Sequence, residues 1–523
     1  MFEATDFQII PPFTNEPYIN PDDPDVRSLM NHAFEKIRSQ GKDYDLFIGG
    51  KYYSTDKKII STNPANPNEV VGRVSKANKD FVDKAMETAY QAFNTWSRLP
   101  ASERVKPFLR AARIMRERRF ELDATMILEV GKSWIEADAD LAEAIDFLEF
   151  YSREALRYAS PQPLVQIPGE LNELIYIPLG VGAIIPPWNF PGAIMAGMTT
   201  AAAVSGNCVL LKPASDSPVI AAKFVEILKE AGLPDGVVNF VPGSGSEIGD
   251  YLVEHPLTRF ISFTGSKEVG LRINELAAKH NNGQIWVKRV VLEMGGKDCV
   301  VIDETADICA ASSGAVASAF GFQGQKCSAG SRIIVVEDVY DEIVRLVKEK
   351  TEALTVGDTT DPSNYIGPVI NEDAVAKILS YIDVGKREGK LITGGNSLQR
   401  EGYFIEPTVF ADVSPDAVIA QEEIFGPVTA IIRAHDFDHA IEIANGTEYG
   451  LTGALYSKDR KRIERAKAEI HVGNLYFNRK CTGALVGVQP FGGFNMSGTD
   501  SKAGGRDYLL LFLQGKSISE KIL

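Results

Sequence analysis

Several segments of the 523-residue chain place side chains where chemistry could use them. Cys327 stands in FGFQGQKCSA, after a run of small residues and a glycine-broken loop. A free thiol titrates near ~8.5 and is only a few per cent thiolate at neutral pH, so a nucleophilic cysteine needs a lowered pKa or a nearby proton acceptor. A loop-to-helix position and the adjacent Lys326 would both favour the thiolate. The plain alternative is a buried structural cysteine. Glu293 ends the apolar run VVLE and precedes two glycines. Burial there would raise its pKa and suit it to take a proton from water; otherwise it is a strand-end surface charge. Asn189, in IIPPWNFP, offers N–H donors that do not titrate, which suits a developing oxyanion. As a bland residue it would only fill a turn between prolines.

A second group of segments suits a nucleotide. LLKPASDSP puts Lys212 at the end of a buried strand, where an ammonium could meet ribose hydroxyls. FTGSKEVG runs strand, Gly265-Ser266, helix, and amides at a helix start can hold a phosphate. Neither is G-x-G-x-x-G, so the usual dinucleotide fingerprint is absent. VPGSGSEIG is glycine-rich and by itself could be only a turn; QEEIFGPV, with Glu423 and Phe425, could be a helix-to-strand turn with solvated acids.

These positions need a scaffold. From Gly180 to about Leu292 strand-like and helix-like runs alternate, as do those from Asp298 to about Ala484, which predicts parallel sheets with crossover helices. From Lys79 the apolar period is helical through Phe81, Val82, Ala85, Met86, Ala89 and Phe93, and helical segments continue to about Ala159. DLFIGGKYY and KIISTNPANPNEVVGRV suggest a small antiparallel sheet. PLVQIPGELNELIYIPLG reads as two strands around the Pro168-Gly169 turn, an exposed hairpin whose edges a second subunit could cover. DYLLLFLQGKSI is the last strand-like run. Residues 1–45 read as a Pro- and Asp-rich arm lying on the main body, then a helix.

Composition excludes several function classes. Lys plus Arg number 55 and Asp plus Glu 70, a formal charge of −15. An acidic surface with no basic patch disfavours nucleic acid and anionic membrane. Five scattered cysteines without a C-x-x-C pair, and six histidines without H-E-x-x-H, argue against a disulfide framework or a metal site. The first ten residues lack the basic and apolar regions of a targeting segment, which points to the cytoplasm. From Leu174 to Leu211 no charged residue occurs. Pro178, Pro186, Pro187 and Pro191 break any spanning helix there. The expectation is buried strand, functional loop, buried helix, strand.

Together the motifs PWN, KPA, FTGS, LEMGGK, GQKCSA, EEIFGPV and PFGG, in this order from about residue 46 to the C-terminus, resemble the aldehyde dehydrogenase superfamily. The resemblance implies an α/β fold with two parallel-sheet domains, an oligomerisation hairpin and a C-terminal strand. It implies an arm at 1–45, a nucleotide-binding domain at 46–160 and 178–292, a catalytic domain at 293–490, and oligomerisation elements at 161–177 and 491–523. It makes Cys327 the nucleophile, Glu293 the general base and Asn189 an oxyanion donor beside the Cys327 N–H. Lys212 and Glu423 map to ribose contacts, Phe425 to the nicotinamide side, and Trp188 and Ser266 to the pyrophosphate region. Ile185, Ser215 and Gly245 complete the cofactor positions, and Ser328 falls on the substrate side. A homodimer or a multiple of dimers is implied, without metal.

The segment NRKCTGALVGVQPFGGFNMSGTDSKAGG, with the NEP-containing arm, is similar to the branch of that family that oxidises glutamate γ-semialdehyde, the open form of 1-pyrroline-5-carboxylate. There the loop after PFGG anchors the amino-acid end of the substrate, and Ser497 and Gly498 map to it, offering a hydroxyl and N–H groups to a carboxylate. The alternatives are another semialdehyde such as succinic semialdehyde, transfer of the acyl group to coenzyme A, or an inert protein on the same scaffold. Many NAD-preferring members carry Glu after KPA; here that position is Ser215, so NAD use with NADP tolerated is expected.

Overall fold

The computed structural model describes residues 10–40 and 42–522. Two seven-stranded sheets carry it. Across the first, the order is Arg289–Glu293, Thr258–Thr264, Val181–Ile185, Cys208–Leu211, Val238–Phe240, Leu46–Ile48, Lys51–Tyr53. The first five strands are parallel to one another; the last two form an antiparallel hairpin at the edge. Val181–Ile185, Cys208–Leu211 and Val238–Phe240 are buried at every position, as a sheet covered by helices on both faces requires. The chain steps outward from Val181–Ile185 to one side, then returns to place Thr258–Thr264 on the other. That reversal opens a crevice at the carboxyl ends of these strands.

The helices follow from capping and spacing. Lys79–Trp96 begins at Asn78, whose side chain accepts from the Phe81 N–H, and buries Val82, Ala85, Met86 and Ala89. The 26-residue helix Trp134–Ala159 packs on Ala193–Val204. A Cβ added at Gly197 would stand 2.9 Å from the Phe147 ring, so a glycine is what lets these two helices approach. The uncharged stretch resolves into strand, loop, helix Ala193–Val204 and strand. Among the described residues no helix is long and apolar enough to cross a membrane.

The second sheet runs Lys390–Thr393, Thr408–Ala411, Val428–Ala434, Gly330–Val336, Asp298–Ile302, Thr452–Tyr456, Asn474–Phe477, parallel except at its first strand. Its core holds Val300, Ile333, Ile431 and Ala454 on one face and Val301, Ile334, Ile432 and Leu455 on the other.

Three expectations are corrected. Residues 161–167 form no strand, because Pro161, Pro163 and Pro168 remove ladder donors. Glu170–Pro178 instead pairs antiparallel with the distant Leu513–Lys521. Tyr508–Phe512 is a 3₁₀ turn, so the last strand begins only at Leu513. The two segments expected to form one small sheet also part company. Leu46–Tyr53 extends the first large sheet, whereas Lys58–Ser75 forms a three-stranded sheet with Lys42–Tyr44. In the arm, the Glu16 and Ile19 N–H groups donate to Asp146 and Asp138 of helix Trp134–Ala159.

Candidate active site

The carboxyl edge of the first sheet faces the amino edge of the second. Between them lies a cavity of about 780 Å³. The carboxyl ends of four first-sheet strands and the loops after them form one wall: Ile185 to Asn189 from Val181–Ile185, Lys212 and Ala214 after Cys208–Leu211, Phe263 to Ser266 from Thr258–Thr264, and Met294 and Gly295 after Arg289–Glu293. Cys327, Glu423 and Phe425 close it from the second sheet, each just before a strand of that sheet begins. Gly245 also lines it.

The first-sheet wall suits an anionic, hydroxyl-bearing ligand. Ser266 caps helix Lys267–Ala278, its side chain accepting from the Val269 N–H, so the positive end of that helix opens on the cavity. Lys212 is buried, and among the described residues its ammonium has only the Pro213 carbonyl, 3.2 Å away, as partner. Burial pushes its pKa down to about 8. A buried cation so poorly paired, beside an open helix start, fits the ribose and phosphate groups of a dinucleotide. Ala214 rather than Ser215 reaches the lining; Ser215 is exposed one residue further along the turn. Trp188 meets Phe425 edge-on at 5.6 Å and Phe322 at 6.3 Å.

The cysteine is not where the local sequence suggested. Cys327 follows helix Ile308–Phe320 and the turn Gly321–Gly324, and precedes strand Gly330–Val336, so no helix N-terminus supports a thiolate. Lys326 turns away; its ammonium is 2.7 Å from Glu136 Oε1. Burial, then the charges of Asp298, Glu293 and Glu423, push the Cys327 thiol well above the usual range. Its sulfur is half-buried and reaches the cavity. The loop before it is tensioned: Phe322 and Gln323 have φ of 50° and 57°, and Phe425 on the same edge has 61°, left-handed values that cost energy in residues with a Cβ. Asn189, 4% exposed, donates from Nδ2 to the Gln325 carbonyl at 3.0 Å, which brings its amide to the cysteine loop.

Glu293 stands at the end of its strand but does not line the cavity, although its neighbours Met294 and Gly295 do. Its carboxylate accepts from Ser501 Oγ and, at 3.2 Å, from the Gly493 N–H. Burial raises its pKa to about 7 against the lowering effect of Ser501, Gly493 and Lys502. The loop that holds it is pinned to the strand by Met294 N–H to Ser497 O (2.7 Å) and Thr499 N–H to Leu292 O (2.9 Å).

The expected substrate contacts need correction. Ser497 is fully buried and its hydroxyl accepts from the Gly450 N–H, so it is not free to meet a ligand. Its carbonyl is taken by Met294. Gly498 bridges to Glu293. Ser328 is buried beside the cysteine, its carbonyl facing Thr452 and Cys481. Sequence reasoning missed Lys377, on helix Glu372–Glu388, which lines the cavity and whose charge lowers the pKa of Glu423. Its helix looks like any amphipathic surface helix, so no local signal marked it. It also missed Asp298, the charge with the largest effect on the thiol, whose carboxyl is pushed up to about 8 by burial and whose Oδ2 has no hydrogen-bond partner among the described residues.

Comparison with known proteins adds four findings. The sequence profile described as "Aldehyde dehydrogenase family" matches residues 52–518. A protein of Geobacillus sp. (strain WCH70) named 1-pyrroline-5-carboxylate dehydrogenase is 58% identical over 513 residues, 98% of this chain and 100% of that one. A 1-pyrroline-5-carboxylate dehydrogenase from Thermus, solved with bound NAD, superposes with a TM-score of 0.97 at 52% identity, covering 98% of this chain and 100% of its own. Proline utilization A from Bdellovibrio bacteriovorus gives 0.96 at 43% identity, covering 100% of this chain and 54% of that longer one.

Proposed function

The chain belongs to the aldehyde dehydrogenase family, and from that premise we propose that it oxidises L-glutamate γ-semialdehyde, the open form of 1-pyrroline-5-carboxylate, to L-glutamate with NAD. The observation that carries this reading is the half-buried Cys327 sulfur opening on a cavity whose opposite wall holds Lys212 and the Ser266 helix start. The full-length similarity to 1-pyrroline-5-carboxylate dehydrogenases supports the substrate.

The residues divide the work as follows. Lys212, Ser266 and Glu423 hold the cofactor, with Trp188 and Phe425 as apolar walls. When bound there, NAD supplies the hydride acceptor. The Cys327 sulfur bonds to the aldehyde carbon, and its proton must leave to a neighbouring base or water because burial and nearby carboxylates oppose a resting thiolate. The second Asn189 N–H and the Cys327 N–H stabilise the oxyanion. Loss of hydride leaves a thioester on Cys327. Glu293, with a pKa near about 7, takes a proton from the water that hydrolyses it.

The reading extends to assembly and place. Leu171 and Ile175 are exposed on the strand pair formed by 170–178 and 513–521, beside Ile522, Val165 and Ile167, which supports a homodimer covering this patch. Five free thiols and a charge of −15 support the cytoplasm. The arm, nucleotide-binding, catalytic and oligomerisation divisions given above stand as our proposed domains. Exposed Ser215 leaves no carboxylate to repel a 2′-phosphate, so NADP is tolerated.

NADH formation with pyrroline-5-carboxylate, compared with succinic semialdehyde, tests the proposal. Strong preference for the first is expected; equal or reversed rates would overturn the substrate. Steady turnover by Cys327→Ala would overturn the covalent scheme.

A further inference from the structure

The general base of the proposed reaction is held away from the sulfur it must serve. Glu293 sits in a dock made by the loop 492–501. Ser501 is 3% exposed, and its hydroxyl donates to Glu293 Oε1 while the Gly493 N–H donates to Oε2. The dock is closely fitted. A Cβ at Gly492 or at Gly498 would lie 3.0 Å from Oε1, so both positions must lack one. The loop is stitched to the Glu293 strand on both sides, through Leu292 N–H to Thr499 Oγ1 at 3.0 Å and Met294 N–H to Ser497 O at 2.7 Å. The titratable groups facing Glu293 are Cys327, Lys502 and Tyr508. The Lys502 ammonium is committed to the Gly473 and Gly492 carbonyls, so it supports the loop rather than pairing with the carboxylate directly.

We propose that Ser501 is a positioning residue for the hydrolytic half of the reaction, its hydroxyl docking the Glu293 carboxylate outside the cavity in equilibrium with an undocked position, so that only the undocked fraction acts on the thioester. This rests on the reading of Glu293 as the base. Docking has a physical purpose. The Glu293 charge opposes the Cys327 thiolate, so a carboxylate free to swing toward the sulfur would hinder attack on the aldehyde. After hydride loss the sulfur is a neutral thioester and the objection disappears. The undocked carboxylate then accepts one proton from a water whose oxygen bonds to the thioester carbon. The C–S bond breaks with its electron pair on sulfur, and no further oxidant is needed.

Docking makes a quantitative statement about pH. A hydroxyl donating to the docked carboxylate favours its ionised form, which lowers the pH at which Glu293 ionises, and it lowers by the same factor the fraction of ionised Glu293 free to act. The test follows acyl-Cys327 by rapid quench and mass spectrometry across pH, with NAD and pyrroline-5-carboxylate. In Ser501→Ala the half-point for thioester decay should rise by about one pH unit and the alkaline plateau rate should rise about tenfold, with rates at low pH unchanged. Ser501→Thr, which restores a hydroxyl, should return both toward the parent values. An unmoved half-point, or a plateau that falls in both variants, overturns the dock while leaving the base intact. Wild-type thioester decay in Glu293→Gln would instead overturn the base reading itself, and the dock with it.

Discussion

The two edges that meet at the cavity are built on opposite principles. The carboxyl edge of the first sheet is relaxed: its lining loops carry prolines, glycines and a helix start, and its one deeply buried cation is Lys212. The amino edge of the second sheet is crowded and strained. Phe322, Gln323 and Phe425 have left-handed backbones there. Lys297 Nζ, Asp298 Oδ2 and Gln325 Nε2 are buried without hydrogen-bond partners among the described residues. Burial pushes the Lys297 ammonium down to about 7 and the Asp298 carboxyl up to about 8. Unsatisfied groups and strain cost stability and persist where the surroundings enforce them, usually for function. The first edge is a surface for binding; the second holds reacting groups in positions they would not choose.

That contrast is open to attack by mutation. The largest expected effect is on the strained edge: Cys327→Ala should lower kcat by at least about a thousandfold while leaving NAD affinity within about twofold, measured by NADH absorbance and by calorimetry. Next is the bridge between the edges. Asn189→Ala removes both the tie to Gln325 and an oxyanion donor, and should cost about 10²–10³ in kcat. If kcat held and only KM for NAD rose, Asn189 would belong to the binding edge. Lys212→Ala, on the relaxed edge, should show the reverse pattern: KM for NAD up about tenfold, with kcat at saturating NAD reduced less.

The smallest effects concern pH without substrate. Alkylation of Cys327 by iodoacetamide in the cofactor-free protein should be slow at pH 7 and still rising beyond pH 9, because the thiol lies well above its usual range. A plateau near neutrality would mean that a proton acceptor has been overlooked. Asp298 makes the matching statement about stability. Its folded-state pKa, about 8, lies above the ordinary carboxyl value. Its stabilising contribution is therefore whole at acid pH and is lost as pH rises toward about 8. Asp298→Asn should flatten that part of the urea-stability profile; an unchanged slope between about pH 5 and pH 8 would show that Asp298 is ionised at little cost.

Much of this molecule was legible in one dimension. The first sheet's strands and helices announce themselves because a buried parallel strand must be a short apolar run and an amphipathic helix must repeat every three to four residues. Cys327, Asn189, Lys212 and Ser266 were placed on turns between such runs, and those turns do meet at one cavity. Three things escaped. Ser497 is expected at the ligand because its hydroxyl is polar, yet a backbone N–H 47 residues away, at Gly450, claims it. Lys326 was expected to aid the thiol because it is next in sequence, yet the peptide geometry points it at Glu136. The first half of the expected hairpin is no strand at all, and its second half found its partner in the C-terminal strand instead.

By itself, then, the sequence determined which segments are strands, helices and functional turns, since these depend on local period, capping and the special chemistry of proline and glycine. Only the tertiary structure decided which edge faces which, what surrounds the Cys327 thiol and where the Glu293 carboxylate rests. Those are contacts between residues far apart in the chain, 208 positions in the case of Glu293 and Ser501, and burial, strain and charge at such contacts arise only once the chain has closed around them.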